Sequence, residues 1–218
     1  MLTALQLRVA AIVRELPEAE DFVLAGGGAL VARGDVDRTT RDLDYFARSA
    51  DQVPRLHAAL ERALEAAGLV ATTVRASGGF VRMVVDDSAE TTEVDLAHDY
   101  RLLPPEDSAV GKTLAAEELA IDKVLALFDR AEARDFIDLA AVVDRWGLPH
   151  LCHRAKEKDP GFIEEVLAEQ LSRFDRLPPQ DFEITDEARI RLRGVVRLWQ
   201  LQLREPPGRE PPSRGRSR

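Results

Sequence analysis

The chain has 218 residues, 45% hydrophobic and 32% charged, enough to bury a core as one large or two small domains. Its net charge of -9 excludes a protein that coats nucleic acid by bulk electrostatics, because neutralising phosphates needs clustered Lys and Arg. No apolar run approaches the roughly 20 residues of a bilayer span, and Arg8 and Arg14 interrupt the leucines that a secretory signal would keep continuous. No membrane association and a cytoplasmic location are therefore expected. The single Cys152 allows no internal disulfide and suits a reducing compartment.

In chain order, Leu2, Leu5, Val9, Ile12, Val13 and Leu16 recur at three- and four-residue spacing and predict an amphipathic helix that Pro17 helps to end. Phe22 to Ala25 reads as a strand running into a turn of Gly26, Gly27 and Gly28, with a helical turn over Ala29 to Arg33. After a polar segment, Asp42-Leu43-Asp44-Tyr45-Phe46 alternates acid and apolar residues as a half-buried strand does. Leu56 to Ala67 is helical by composition and is capped by Gly68. Leu69 to Arg75, Phe80 to Val85 and Thr92 to Ala97 are further strands.

From about Lys112 the pattern becomes helical. Ile121, Val124, Leu125 and Phe128 form one stripe, Phe136, Leu139, Ala140 and Val143 another, and helices are predicted over 160–174 and 185–203. The expected architecture is α+β: a domain with a short mixed sheet over 1–108 and a helical domain over 109–203, with the active site in the cleft between them. The tail over 204–218, rich in Pro, Gly, Ser and Arg, is expected to be disordered. That tail holds five Arg against two Glu, so the preceding chain carries -12.

A D-x-D pair alone says little, since 20 Asp in 218 residues give about two matches by chance. Asp35 and Asp37 lie in a polar loop, whereas Asp42 and Asp44 have apolar neighbours between and after them. Residues two apart on a strand share a face with Cα atoms roughly 6–7 Å apart, so both carboxylates can reach one divalent ion. Asp95, inside Glu93-Val94-Asp95-Leu96, is the best third ligand and a candidate base for the attacking hydroxyl. Magnesium suits such a set, because it takes few carboxylates and completes its shell with water and phosphate oxygens. Gly26 and Gly27, placed between strand and helix, let backbone N–H groups approach phosphates at a helix N-terminus.

These segments together resemble the AbiEii/AbiGii-type toxin family of nucleotidyltransferases, within the polymerase-beta-like superfamily. The resemblance rests on Leu24-Ala25-Gly26-Gly27-Gly28-Ala29-Leu30, on Arg38-Thr39-Thr40-Arg41-Asp42-Leu43-Asp44-Tyr45-Phe46, on Glu93-Val94-Asp95-Leu96, and on the stretches 119–127 and 130–139. It implies a polymerase-beta-like fold, an NTP substrate, magnesium on Asp42 and Asp44, and phosphate contacts from Gly26 and Gly27. Arg38 and Thr40 would line the same pocket, Lys123 would neutralise triphosphate charge, and Asp135 would match the acid of the family's R-x-x-D-x-x-D-L segment. The resemblance also implies a toxin restrained by an antitoxin, with the tRNA 3′ end as an acceptor and Thr40 as a target for phosphorylation. Many superfamily members carry Ser where this chain has Gly27, so backbone donors must compensate.

From spacing, Lys123 lies off its helix's apolar stripe and Asp138 reads as surface charge; the position the resemblance gives Thr40 puts it exposed at the pocket mouth, with a turn cap as the alternative. His150, Cys152 and His153 lack the spacing of a zinc site. Arg189, Arg193 and Arg197 recur every four residues opposite an apolar stripe, either as a basic docking face or as a solvated face paired with acids. The expected reaction is transfer of a nucleoside monophosphate to a hydroxyl. A transferase acting on a small molecule or a protein side chain, and a degenerate binding module, are the alternatives.

Overall fold

The computed structural model describes residues 1–204. Arg204 ends the last helix, and the rest of the tail predicted to be disordered lies outside the described residues. The elements run α1 (Ala4–Glu15), β1 (Val23–Ala25), α2 (Gly26–Arg33), β2 (Asp42–Ala47), α3 (Gln52–Ala66), β3 (Val70–Ser77), β4 (Phe80–Asp86), β5 (Thr91–His98), β6 (Glu106–Ser108) and β7 (Gly111–Thr113). Helices follow: α4 (Ala116–Asp129), α5 (Ala133–Val142), α6 (Leu148–Lys158), α7 (Glu164–Gln170) and α8 (Asp186–Arg204). No described helix is long and apolar enough to cross a membrane.

The strands form one mixed sheet in the order β3-β4-β5-β2-β1-β7-β6. β2 lies parallel to β5, with Asp44 opposite Asp95 and Asp42 opposite Glu93, while β1 runs antiparallel to β2 with Ala25 opposite Asp44. The period-two pattern sorts the two faces. Leu43, Tyr45, Val81, Met83, Val85, Val94 and Leu96 are buried on the face where α1 and α3 pack. On that side Gln6 of α1 donates to the Thr40 carbonyl at 3.0 Å and to Thr92 Oγ1 at 3.2 Å. Asp42, Asp44, Phe46, Arg82 and Val84 fall on the opposite face and are half-buried.

Thr3 caps α1 reciprocally with Gln6, and buried Leu5, Val9 and Val13 supply its core stripe. α3 starts at Gln52, earlier than the apolar pattern indicates, because Pro54 is tolerated in a first helical turn. Gly68 follows it at φ +72, the left-handed geometry of a helix C-terminus. α4 joins the two halves, packing on α2, α5, α6 and α7 through buried Leu119, Ala120, Ile121, Val124 and Leu127. The segment predicted helical over 160–174 is shorter as an α-helix: α7 covers Glu164–Gln170 and tightens to a 3-10 turn over Leu171–Arg176.

Arg193 pairs with Asp175 at 2.7 Å and Arg189 with Asp186 at 3.4 Å, which makes this part of α8 the acid-paired face of the two readings. Cys152 is buried, while His150 and His153 are exposed and face Glu117 at 2.8 Å and Glu157 at 3.2 Å.

Candidate active site

The expected glycine turn is instead the first turn of α2, which begins at Gly26 itself. Glycine propensity argues against a helix start there, but close packing overrides it. Gly26 has φ +58, and an added Cβ would stand 2.0 Å from Asp44 Oδ2. A side chain at this position would meet both backbone strain and the carboxylate. Ala25, the residue before the helix, supplies no side-chain cap, so the first-turn N–H groups are left without a side-chain acceptor, and the positive end of the helix dipole lies beside Asp44. At Gly27 an added Cβ would lie 2.6 Å from Arg38 Nη2 and 3.3 Å from Thr40 Oγ1. The room a side chain at Gly27 would need is filled by Arg38.

Three carboxylates share the sheet face opposite α1 and α3. Asp42 accepts from Thr40 Oγ1 at 3.0 Å and faces Arg134 Nη1 at 3.4 Å. Asp95 is held bidentately by Arg82 at 2.8 and 2.6 Å. Asp44 has no hydrogen-bond donor to its carboxylate among the described residues. Burial, with Asp42 and Asp95 adding repulsion, pushes its pKa up to about 7 against the weaker pull of Lys123 and Arg134. Glu93, opposite Asp42, adds a fourth acid to the face.

Thr40 is buried, 7% exposed, and its hydroxyl donates to Asp42, so it is not exposed at a pocket mouth as predicted. The turn leading into β2, held from behind by Gln6, folds the side chain inward. Asp138 is a second correction: it is fully buried rather than surface charge. Arg38 grips it at 2.7 Å through Nε and at 2.7 Å through Nη2, and Lys123 Nζ lies 2.9 Å away. Burial would raise the Asp138 pKa, but the Arg38 hydrogen bonds and the Lys123 charge hold it below the ordinary carboxylate value. Lys123 is itself buried and also contacts Asp135 at 3.3 Å. Asp135, fully buried, accepts from Arg130 at 3.1 Å through two nitrogens and caps the start of α5. Lys123 and Asp135 are thus brought close to the acid face, but as members of a closed ionic network.

Arg82, Arg134 and the Arg38–Asp138 clasp are absent from the sequence-based site. Arg134 was the most accessible to reading, because it stands in the first turn of α5 beside Asp135. The place of Arg82 depends on its register opposite Asp95, which no local pattern encodes. The cavities lined by Val13 and Tyr45 and by Arg48 and Arg101 do not touch the acids. Asp95 is buried and Asp42 and Asp44 are half-buried, beside the start of α2 and Arg134 of α5.

Among the described residues no three His, Cys, Asp or Glu side chains are spaced to hold a metal, and Asp42 and Asp95 are paired instead with Arg134 and Arg82. The donor chemistry nevertheless fits a hard divalent cation. All three groups are carboxylates, and the crowding that disfavours ionised Asp44 is what a cation would relieve.

A mixed sheet with a helix starting at glycines beside paired acids defines the class, a nucleotidyltransferase. A profile of the family described as "Nucleotidyl transferase AbiEii toxin, Type IV TA system" matches residues 10–206, and the chain belongs to that family. The fold is similar to JHP933 from Helicobacter pylori (TM-score 0.53, 19% identity, covering 93% of this chain and 95% of that one). It is also similar to the nucleotidyltransferase toxin MenT4 from Mycobacterium tuberculosis (TM-score 0.60, 17% identity, covering 88% and 84%). No curated protein matches by sequence comparison.

Proposed function

We propose that the protein transfers a nucleoside monophosphate from an NTP to a hydroxyl acceptor, using magnesium held by Asp42, Asp44 and Asp95. The observation that carries this is the placement of Asp44 beside Asp42 and opposite Asp95, directly against Gly26 at the start of α2. Bound magnesium would neutralise phosphoryl oxygens and the leaving pyrophosphate. The chain's own part is positioning. The N–H groups at Gly26 and Gly27 receive phosphate oxygens, Arg38 and Thr40 fix the pocket floor, and Thr40 orients the Asp42 carboxylate. Lys123 acts as a fixed positive field near Asp44, because Asp135 and Asp138 hold its ammonium. Asp135 is a positioning residue that acts through Lys123 and Arg130. Asp95, released from Arg82, serves as third ligand, as base for the acceptor hydroxyl, or as both.

Membership of a toxin family implies an antitoxin partner and a nucleotide substrate, and we place the activity in the cytoplasm. An RNA 3′ end, such as that of tRNA, is the favoured acceptor. In support, Phe80 lies half-exposed on the acid face of the sheet, with Arg75 5.4 Å and Arg82 5.9 Å from its ring centroid, a surface on which a base can stack. A small-molecule or protein acceptor is the second reading, favoured by the acidic surface. Incubation with radiolabelled NTP and magnesium, in the presence of total RNA, protein or neither, tests both. Label at RNA 3′ ends is expected. Label on protein selects the second reading, and no transfer to any acceptor leaves a binding module.

A further inference from the structure

A cavity of about 640 Å³ opens at the end of β2 remote from Asp42, beneath the loop of Pro104 and Pro105. Four cationic side chains line it: Arg48, Arg55, Arg101 and Lys112. In a chain of net charge -9 this local surplus runs against the whole. Its acids offset it only in part. Asp51 pairs with Arg55 at 3.2 Å, Asp21 accepts from Gln52 at 2.6 Å, and Glu20 is a third acid in the lining. Arg48, Arg101 and Lys112 have no carboxylate within ion-pair distance among the described residues.

Arg101 is the least expected of these groups. It is buried, 6% exposed, and it donates only to the backbone carbonyls of Asp21 at 2.9 Å and Phe46 at 3.5 Å. Its Nε is buried with no hydrogen-bond partner. Burial, reinforced by the neighbouring Arg48, pulls its pKa below the usual arginine value despite nearby Asp21, Glu118 and Asp99. A guanidinium taken out of water without a carboxylate at ion-pair distance is costly, and an anion entering the cavity would offset that cost.

We propose that this cavity is a second ligand site that binds the phosphate group of a small phosphorylated molecule, with Arg48, Arg101 and Lys112 as its cationic receptors. Phosphate suits the set better than a carboxylate, because several oxygens can accept from more than one guanidinium and an ammonium at once. The volume lies within the usual range for small-molecule sites and leaves room for the rest of a molecule of about nucleotide size. The site is separate from the carboxylate face, and its occupancy bears on β2, whose Phe46 carbonyl Arg101 holds.

Inorganic phosphate, titrated calorimetrically into the full chain, is the probe. Saturable binding is expected, weakened about tenfold or more in Arg48→Gln and again in Arg48→Gln with Lys112→Gln, as each charge-assisted contact is lost. Both positions are exposed, so folding should survive, and a thermal scan checks it. Arg62→Gln on the outside of α3 controls for general charge and should bind like wild type. Equal weakening by Arg62→Gln, no dependence on Arg48 and Lys112, or no binding at all would overturn the proposal. So would tighter binding of single-stranded oligothymidylate with the same residue dependence, which would reassign the patch to nucleic acid.

Discussion

Arg38 and Asp138, 100 residues apart in sequence, meet in a bidentate ion pair with both contacts at 2.7 Å, which ties the loop before β2 to α5. Lys123 shares the same carboxylate, so Asp138 counters two cations. Asp138→Asn should destabilise the fold by about 3–5 kcal/mol, because it strands buried positive charge. The pH dependence has a definite sign. A carboxylate held below its unfolded value of 3.8 contributes stability above that value and loses it as pH falls through the folded one. Wild type should therefore weaken in acid below about pH 4 more steeply than Asp138→Asn does. Acid denaturation curves of equal slope would remove the clasp from the stability of the fold.

Gly26 and Gly34 both have positive φ, +58 and +75, but only Gly26 faces an obstacle. Gly34→Ala meets nothing within 4 Å and should cost about 1 kcal/mol of backbone strain. Gly26→Ala adds a Cβ 2.0 Å from Asp44 Oδ2, so it should displace the carboxylate and cut nucleotidyl transfer by orders of magnitude beyond its effect on stability. Comparison of the two variants by transfer assay and thermal melting separates geometry from strain. Equal activity in both would mean that the approach of Gly26 to Asp44 has no bearing on turnover.

Much of this arrangement was legible in the sequence, and the missing parts share a cause. β4, predicted as Phe80 to Val85, spans Phe80–Asp86, because buried Val81, Met83 and Val85 alternate cleanly with half-buried residues of the opposite face. β6 and β7, three residues each, have no such alternation and are defined by their pairing. Asp42 and Asp44 were found on one face because strand periodicity is local. The burial of Asp138 and Lys123 was not, since charge on a helix reads as solvent-facing until a counter-charge from distant Arg38 permits burial. The same holds for Arg82: its grip on Asp95 follows from strand order, which chain-order reasoning does not supply.

Thr40 donates to Asp42 at 3.0 Å from a buried position, so its hydroxyl acts first on the carboxylate and only through it on a substrate. Thr40→Val keeps shape and removes the donor. It should lower metal-dependent transfer about tenfold or more, roughly the worth of one hydrogen bond to a charged group, while the fold persists. Thr40→Glu places a second charge beside Asp42 and should abolish transfer, as would phosphorylation, which adds roughly -1.5 to -2 charge. A kinase would need this turn to open, so phosphorylation of the free protein should be slow relative to that of an exposed peptide of the same sequence. Turnover unchanged in Thr40→Val would show that Asp42 is oriented without it.

Burial and the neighbouring Asp42 and Asp95 push the pKa of Asp44 up to about 7. For a carboxylate raised in the folded state, the native protein binds the proton more tightly than the unfolded chain does. Stability without metal should therefore fall as pH rises from about 4 to about 7 and level off above. Divalent cation and proton compete for the same group. Affinity for manganese, read by electron paramagnetic resonance as a spectroscopic stand-in for magnesium, should climb up to about tenfold per pH unit below about 7 and flatten beyond it. Asp44→Asn should weaken manganese binding and abolish this pH dependence, and it should raise the melting temperature of the metal-free protein at alkaline pH by removing the strained charge. Manganese affinity that stays flat through neutrality in wild type, or an Asp44→Asn variant that binds manganese as wild type does, would take Asp44 out of the metal site.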